Sequence, residues 1–409
     1  MPPGARSAAR PEQIRRHNLS VVLRHLHLHG ALSRPELARL TGLNRSTIGA
    51  IVGDLVELGI VTQRTPSHSR DKAGRPPYLV ALRPGAVHVV AVDVDVTQVQ
   101  VATVGLSGTV LDRVVWKHRV GADRSADRTA DRVAAAARDL TAAAGDSIRV
   151  GVGVSVPAMI DNPQGIAVYA PNLQWSNAPF GALLRARLAD HVVVGNDADL
   201  ALLAEHRRGV AAGFSNVVLV LGRVGVGGGV IIGGDLLRGS RGYAGEIGHI
   251  TVQADGPVCH CGNRGCLEEY VGEDAILRAA EAAGIDSPEL ESLFRRAADG
   301  DETCLDVVCS VGQWLGRGLS NVAHVLNPEA IVADGHLAEV LRLAEPSVRI
   351  GLQRGMVTIG RAPITLLQGT VRDASLIGAA ELAYEQLLTA PDLLGTLVHK
   401  GSVDPAAGS

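Results

Sequence analysis

The chain has 409 residues, 46% of them hydrophobic and 20% charged, with a net charge of −3. That length accommodates two or three domains. It contains no run of eighteen apolar residues, and "MPPGARSAARPEQIRRHNL" at its start lacks the apolar segment and cleavage site of a secretory leader, so a soluble, cytoplasmic protein without a membrane partner is expected.

The charge is unevenly divided. Residues 1–80 hold 12 Lys and Arg against 5 Asp and Glu, a balance of +7, and the remainder holds 27 against 37, or −10. A basic nucleic-acid-binding piece on an acidic body fits that division. An amphipathic helix over about residues 11–29 comes first. In "ALSRPELARLTGLNRSTIGAIVGDLVELGIVTQ", residues 31–63, Ser33 with Glu36 forms a capping box, Pro35 sits in the first turn, Gly42 takes the turn, and Asn44 caps a second helix. Ile48, Ile51, Val52, Leu55 and Leu58 mark the buried face of that helix. Arg45, Ser46 and Thr47 stand at its N-terminus, where recognition helices touch base edges, with Ser33, Arg34 and Asn44 as further DNA candidates. Two strands and a basic tip carrying Arg70, Lys72 and Arg75 follow, the outline of a winged helix-turn-helix that binds double-stranded operator DNA. A helical hairpin that binds another protein, with a merely solvated tip, is the plainer alternative.

From residue 87 a three-strand meander, an alanine-rich helix over about 124–144 and the apolar strand "IRVGVGVSVPAMID" begin an α/β body in two lobes. Further on, "GEIGHITVQADGPVCHCGNRGCLEEY" crowds three of the five cysteines into eight residues. His249, Cys259, Cys261 and Cys266 supply the one nitrogen and three sulfurs of a tetrahedral structural Zn²⁺ site, and Gly262 and Gly265 let the loop fold back. A redox pair or plain buried thiols are the competing readings. His260, between two ligands, is expected to point away, as alternate residues of an extended loop do. Cys304 and Cys309 read as ordinary small apolar side chains.

The order of motifs, from about residue 11 to residue 388, resembles the ROK family of sugar kinases and sugar-responsive repressors, most specifically in Gly248-His249 and Cys259-x-Cys261-Gly262-x-x-Gly265-Cys266-Leu267-Glu268. The resemblance implies an actin-like (ribonuclease H-like) body behind the winged helix, and a homo-oligomer, dimer or tetramer. It implies boundaries at 1–82, 83–205 (completed by a helix at 370–390) and 206–369 (zinc loop and dimerisation surface), with a C-terminal tail at 391–409, whose end "HKGSVDPAAGS" is expected to be frayed. It places sugar contacts on Asn172, Asn196, Asp197, Glu246, His249 and Glu268, with Asp197 as the general base of an active kinase. Each has a structural alternative; Asp197, for instance, can cap the following helix. Asp199 stands where the family usually has asparagine.

The nucleotide segments depart from the family. Asp95 and Val96 replace the glycines of the first phosphate loop, which puts a charge and a bulky side chain where phosphates would lie, and Arg223 and Val224 replace a Gly-Thr pair in the second. Asp334 and His336 take glycine positions in the adenine-side segment. The expected protein is therefore a non-catalytic repressor that senses a sugar or sugar derivative. The alternatives are an active ATP-dependent sugar kinase with a DNA-binding domain, and a regulator that has abandoned sugars for another metabolite.

Overall fold

The computed structural model describes residues 11–64, 78–118, 125–161, 164–355, 363–395 and 397. The front end runs α1 (Pro11–His29), β1 (Leu32–Ser33), α2 (Arg34–Thr41), α3 (Arg45–Glu57), β2 (Val61–Arg64) and β3 (Leu79–Leu82). Its local punctuation behaves as read. Ser33 and Glu36 form the reciprocal capping box, and Gly42 ends α2 at φ 71°, a left-handed conformation that costs least without a Cβ. Asn44 Oδ1 accepts the Thr47 N–H at 2.8 Å and opens α3. Ile48, Ile51, Val52 and Leu55 are buried beneath it. β2 and β3 pair antiparallel, with β1 on the far side of β3, which completes the winged helix-turn-helix.

The body builds one strand pattern twice. β4 (Val87–Val94), β5 (Gln98–Gly105) and β6 (Val110–Lys117) form the antiparallel meander, α4 (Ala126–Ala143) covers it, and β7 (Ile148–Val156) pairs parallel with β4. A small antiparallel sheet of β8 (Met159–Asp161), β9 (Ile166–Ala170) and β10 (Trp175–Ala178) comes next, followed by α5 (Phe180–Leu188). β11 (Val192–Asn196) then joins parallel to β7 and feeds directly into α6 (Asp197–Arg208). The second lobe opens with antiparallel β12 (Val217–Gly222), β13 (Val226–Ile232) and β14 (Asp235–Leu236). After α7 (Glu268–Val271), α8 (Glu273–Ala282), α9 (Leu290–Ala298) and α10 (Glu302–Leu326), the parallel strands β15 (Ala330–Gly335) and β16 (Thr365–Gln368) bracket α11 (His336–Gly355). The orders β6-β5-β4-β7-β11 and β14-β13-β12-β15-β16 are the same arrangement, two lobes of the expected actin-like body. α12 (Ala374–Thr389) then returns to pack on α6, β7 and β4. Among the described residues no helix is long and apolar enough to cross a membrane.

All eight residues of β4 are buried. Alternate β4 residues enter opposite cores: Val90, Val92 and Val94 pack with Val133 and Ala137 of α4, whereas Val89 and Ala91 join Tyr384 and Ala380 of α12. A sheet covered on both faces by helices reads as a continuous apolar run rather than an alternating one. The α12 side of this core continues without a break into the winged helix through Leu23, Leu26, Leu37 and Ile48.

A buried charge cluster reinforces that junction. His27 of α1 is 2% exposed and Glu381 of α12 is 0% exposed. His27 Nε2 lies 2.8 Å from Glu381 Oε2, and His27 Nδ1 reaches the carbonyl of Leu106. From the end of α6, Arg208 Nε donates to Glu381 Oε1 at 2.6 Å and Arg207 Nη1 to Glu381 Oε2 at 3.0 Å. Nearby, Arg24 Nη2 donates to Glu385 Oε2 at 2.9 Å. Burial alone would raise the Glu381 pKa, but His27, Arg208 and Arg207 hold it well below the carboxylate range. Removing one member of such a buried set costs about 3–5 kcal/mol because its partners keep uncompensated charge. Glu381→Gln should therefore lower the urea midpoint at pH 7. A carboxylate with a depressed folded pKa stabilises above its unfolded value, 4.5, and loses that contribution as pH falls. The gap between parent and variant should thus narrow in urea titrations below pH 4.5.

Candidate functional site

The six positions assigned to sugar contacts converge on a cleft of about 680 Å³ between the lobes. Asn172 sits in the turn after β9, Asn196 ends β11 and Asp197 begins α6, while Glu246, His249 and Glu268 come from the second lobe. Their roles differ. Asn196 is the cap of α6: its Oδ1 accepts the N–H groups of Ala198 at 2.9 Å and Asp199 at 3.1 Å, and its Nδ2 donates to the Ala158 carbonyl at 3.1 Å. Its acceptor is committed to the protein, so it positions its neighbour. Asp197 occupies the first helical turn instead of the cap and presents its carboxylate to the cleft.

Glu268 is fixed at both oxygens. Oε2 accepts the Val226 N–H at 2.9 Å, and Oε1 lies 3.0 Å from His260 Nδ1. His260 therefore faces the cleft, contrary to the expectation that it points away. The Gly262 N–H donates to the Cys259 carbonyl at 2.9 Å, closing a turn, and side chains do not alternate across a turn as they do in extended chain. From the first lobe, the Tyr169 hydroxyl approaches the His260 carbonyl at 3.4 Å.

Behind these groups, His249, Cys259, Cys261 and Cys266 hold their ligand atoms within 4.8 Å of one another and could hold a metal ion. Cys261 Sγ and Cys266 Sγ are 3.7 Å apart, as are Cys259 Sγ and His249 Nδ1. A tetrahedron with metal–sulfur arms of about 2.3 Å has edges of about 3.8 Å. The donor set fits. All five cysteines are free thiols. Gly265 has φ 66°, and a Cβ there would stand 1.6 Å from the Gln253 carbonyl oxygen, so the loop can fold back only with glycine at this position. With Nδ1 turned toward Cys259, His249 directs Nε2 to the cleft, 4.0 Å from Glu246 Oε2.

Burial raises the acids of the cleft. Asp197 is pushed up to about 6, chiefly by burial and further by Asp93 and Asp95, with Arg223 opposing. Glu246 rises to about 7 by burial, then by the charges of Asp197 and Glu268. Asp199, 5% exposed and with a buried Oδ1 that has no hydrogen-bond partner, is pushed to about 8, mainly by burial, against the pull of Arg238. Burial thus favours the neutral, protonated form of Asp199.

The segments that the resemblance assigns to a nucleotide are joined by an ion pair. Arg223 Nη2 lies 3.3 Å from Asp93 Oδ2, and Nη1 lies 3.6 Å from Asp95 Oδ2. The charge at residue 95, expected where phosphates would lie, is therefore paired with Arg223. His336 Nε2 donates to the Val271 carbonyl at 2.8 Å, and its ring lies so near Gly222 that a Cβ there would meet Nε2 at 2.8 Å. The glycines of β13 serve close packing: Gly227 lies against Ala198 of α6, and Gly228 against the Gly245 carbonyl. Of these groups, His260 was read as pointing away, and Arg223 was read as a replacement in the second phosphate loop but not as the partner of Asp95.

On the winged helix, Arg34, Asn44, Arg45 and Ser46 are exposed and Thr47 is half-buried at the start of α3. Ser33 is 4% exposed, and its hydroxyl is spent on Glu36, so it is a cap and not a DNA contact. Arg70, Lys72 and Arg75 lie outside the described residues.

Asp199 gives a pH dependence with a definite sign. Its carboxyl releases a proton near 3.8 when unfolded and near 8 when folded, so the native state binds more protons between those values and stability falls as pH rises through them. Asp199→Asn should melt at least about 3 °C above the parent at pH 8, and the two melting curves should converge toward pH 4.

The sequence profile of the ROK family matches residues 89–386, and that of the MarR family matches residues 20–71. The chain is similar to the xylose repressor of Bacillus subtilis (strain 168), 27% identical over 378 residues, covering 92% of this chain and 97% of that protein. Among solved structures, a ROK family transcriptional regulator homologous to the E. coli MLC protein superposes with a TM-score of 0.77 at 24% identity, covering 95% of this chain and 99% of that one. A ROK family glucokinase from Streptomyces griseus, in complex with glucose and AMPPNP, superposes with a TM-score of 0.64 at 27% identity, covering 73% of this chain and 99% of that one. The family profile spans well over half the chain, across both lobes and the cysteine loop: this protein belongs to the ROK family.

Proposed function

We propose that this chain is a sugar-responsive transcriptional repressor: the winged helix binds operator DNA, and a sugar or sugar derivative in the cleft changes how the winged helix is held. The arrangement of α6 carries the reading. Its N-terminus presents Asp197 to the cleft, and its C-terminus places Arg207 and Arg208 on Glu381, which also holds His27 of the winged helix. Twelve residues of helix, about 18 Å, thus join the two sites. Closure of the lobes on a polyol that displaces Asp197 is transmitted along a rigid element to α1, a coupling between distinct sites through discrete contacts. The full-length similarity to a protein named xylose repressor supports the repressor class and makes a pentose the first effector to try.

In this reading Arg34, Asn44, Arg45, Ser46 and Thr47 meet DNA, and two copies of the chain engage two half-sites, as a dimer or within a tetramer. Asn172, Asp197, Glu246, His249 and Glu268 contact the polyol, since carboxylates accept from paired hydroxyls and an amide both donates and accepts. His249, Cys259, Cys261 and Cys266 hold Zn²⁺, a structural ion because all four positions of the tetrahedron are protein groups. The ion pins the loop that carries His260 and leads into Glu268. Phosphoryl transfer is not part of the function, because Arg223 and His336 fill the nucleotide side.

DNA selected from a random pool by the purified chain, then titrated in the presence of D-xylose or D-glucose, tests the reading. Sugar should change the apparent affinity at least about 5-fold, the low end of allosteric coupling, and Asp197→Asn should abolish that change. A coupled assay showing ATP-dependent phosphorylation of either sugar would replace the repressor by the kinase. Arg45→Ala should weaken DNA binding by about 1–3 kcal/mol, measured by fluorescence anisotropy at fixed salt. Cys261→Ser should reduce bound zinc, read by elemental analysis, and lower the melting temperature.

A further inference from the structure

Arg223 belongs to the second lobe, at the turn between β12 and β13, where its N–H donates to the Gly225 carbonyl at 3.0 Å. Its guanidinium lies on the first lobe. Nη2 donates to Ser375 Oγ at 3.0 Å, at the start of α12, and reaches Asp93 on β4, while Nη1 faces Asp95 in the turn after β4. Those partners are themselves fixed: the Ser375 hydroxyl contacts the main-chain oxygen of Asp197 at 3.0 Å, and Ser155 Oγ donates to Asp93 Oδ1 at 2.7 Å. One cation therefore spans the lobes and touches the group that holds the Asp197 backbone.

The charge around it decides what the cleft can accept. Asp95, Asp197, Glu246 and Glu268 line the wall, and among the described lining residues Arg223 is the one arginine or lysine. Its Nη2 is spent on Asp93 and Ser375, while Nη1, buried and without a hydrogen-bond partner among the described residues, faces Asp95 at 3.6 Å. A phosphate ester would bring its charge against a wall of four acids whose one arginine is already shared among Asp93, Asp95 and Ser375, whereas an uncharged polyol meets those acids together with the Asn172 amide and the His249 and His260 rings without charge repulsion.

We propose that Arg223 is a positioning residue, a cross-lobe pin that holds the cleft in its sugar-accepting form, and that the cleft so pinned takes an uncharged aldose and refuses the phosphate ester of the same sugar. This rests on the reading of the cleft as a sugar site.

Calorimetric titration of the full chain with D-xylose, D-glucose, xylose 5-phosphate and glucose 6-phosphate tests it, alongside Arg223→Ala, Arg223→Lys and Asp95→Asn. An uncharged sugar should bind the parent at least ten times more tightly than its phosphate. Arg223→Ala should weaken that binding at least ten-fold, and Arg223→Lys should recover part of the loss, since a point charge can reach one carboxylate without the fork. In small-angle scattering without sugar, Arg223→Ala should show a larger radius of gyration than the parent, a change that Asp95→Asn should reproduce in part. Phosphate esters binding as tightly as the uncharged sugars, or unchanged sugar affinity in a folded Arg223→Ala, would overturn the proposal and leave the sugar reading standing. If none of the four compounds binds the parent, both fall together.

Discussion

A single buried carboxylate, Glu381, fixes where the DNA-binding unit sits on this molecule. It lies on α12, out of contact with solvent, and can remain ionised there only because α1 supplies His27 and α6 supplies Arg207 and Arg208. An unpaired buried charge costs several kcal/mol, so any movement of α1 or α6 that breaks this set is penalised unless all three helices move together. Surface ion pairs such as Arg15 with Asp54 impose no comparable constraint, since water replaces them at little cost. The winged helix is thus coupled to the body by an all-or-none requirement for charge balance, laid over a continuous apolar core.

That requirement gives α6 its significance. A helix carries partial positive charge at its N-terminus and partial negative charge at its C-terminus, and α6 is loaded to match, with Asp197 in its first turn and Arg207 and Arg208 in its last. The same polarity that settles acids at the cleft settles arginines at the junction with the winged helix. α12 runs beside it and repeats the connection, with Ser375 against Arg223 and the Asp197 backbone at one end and Glu381 and Glu385 at the other. Two packed helices therefore link the same two places, and packed helices slide or tilt as units more readily than they bend.

Features set by nearest neighbours in the chain were legible in the sequence. The capping box at Ser33, the Asn44 cap, the left-handed Gly42 and the short-range ligand spacing from Cys259 to Cys266 each depend on a handful of consecutive residues. The buried face of α3 followed from periodicity for the same reason. What was not legible depends on distant partners. His27 and Glu381 are separated by 354 residues, and nothing near either one announces the other. Asp95 and Arg223 were each visible as departures from the family pattern, yet only their approach across the lobes shows that one departure compensates the other. The His260 expectation failed on a local point: it assumed extended chain where Gly262 closes a turn.

The compensation between Asp95 and Arg223 also bears on how a kinase-like cleft can lose its nucleotide and keep its shape. Two lobes joined by a hinge need something between them if the cleft is to stay formed, and a triphosphate with its metal supplies dense charge that loops from both lobes can share. An acid on one loop with an arginine on the other supplies the same attraction within the chain, and a second acid, Asp93, anchored by Ser155, steadies it. In the repressor reading proposed above, an internal pair that is neither consumed nor released leaves the state of the cleft to the polyol alone. For an enzyme that would be a defect. For a sensor whose output is the position of a helix about 18 Å away, it removes an input that would otherwise compete with the sugar.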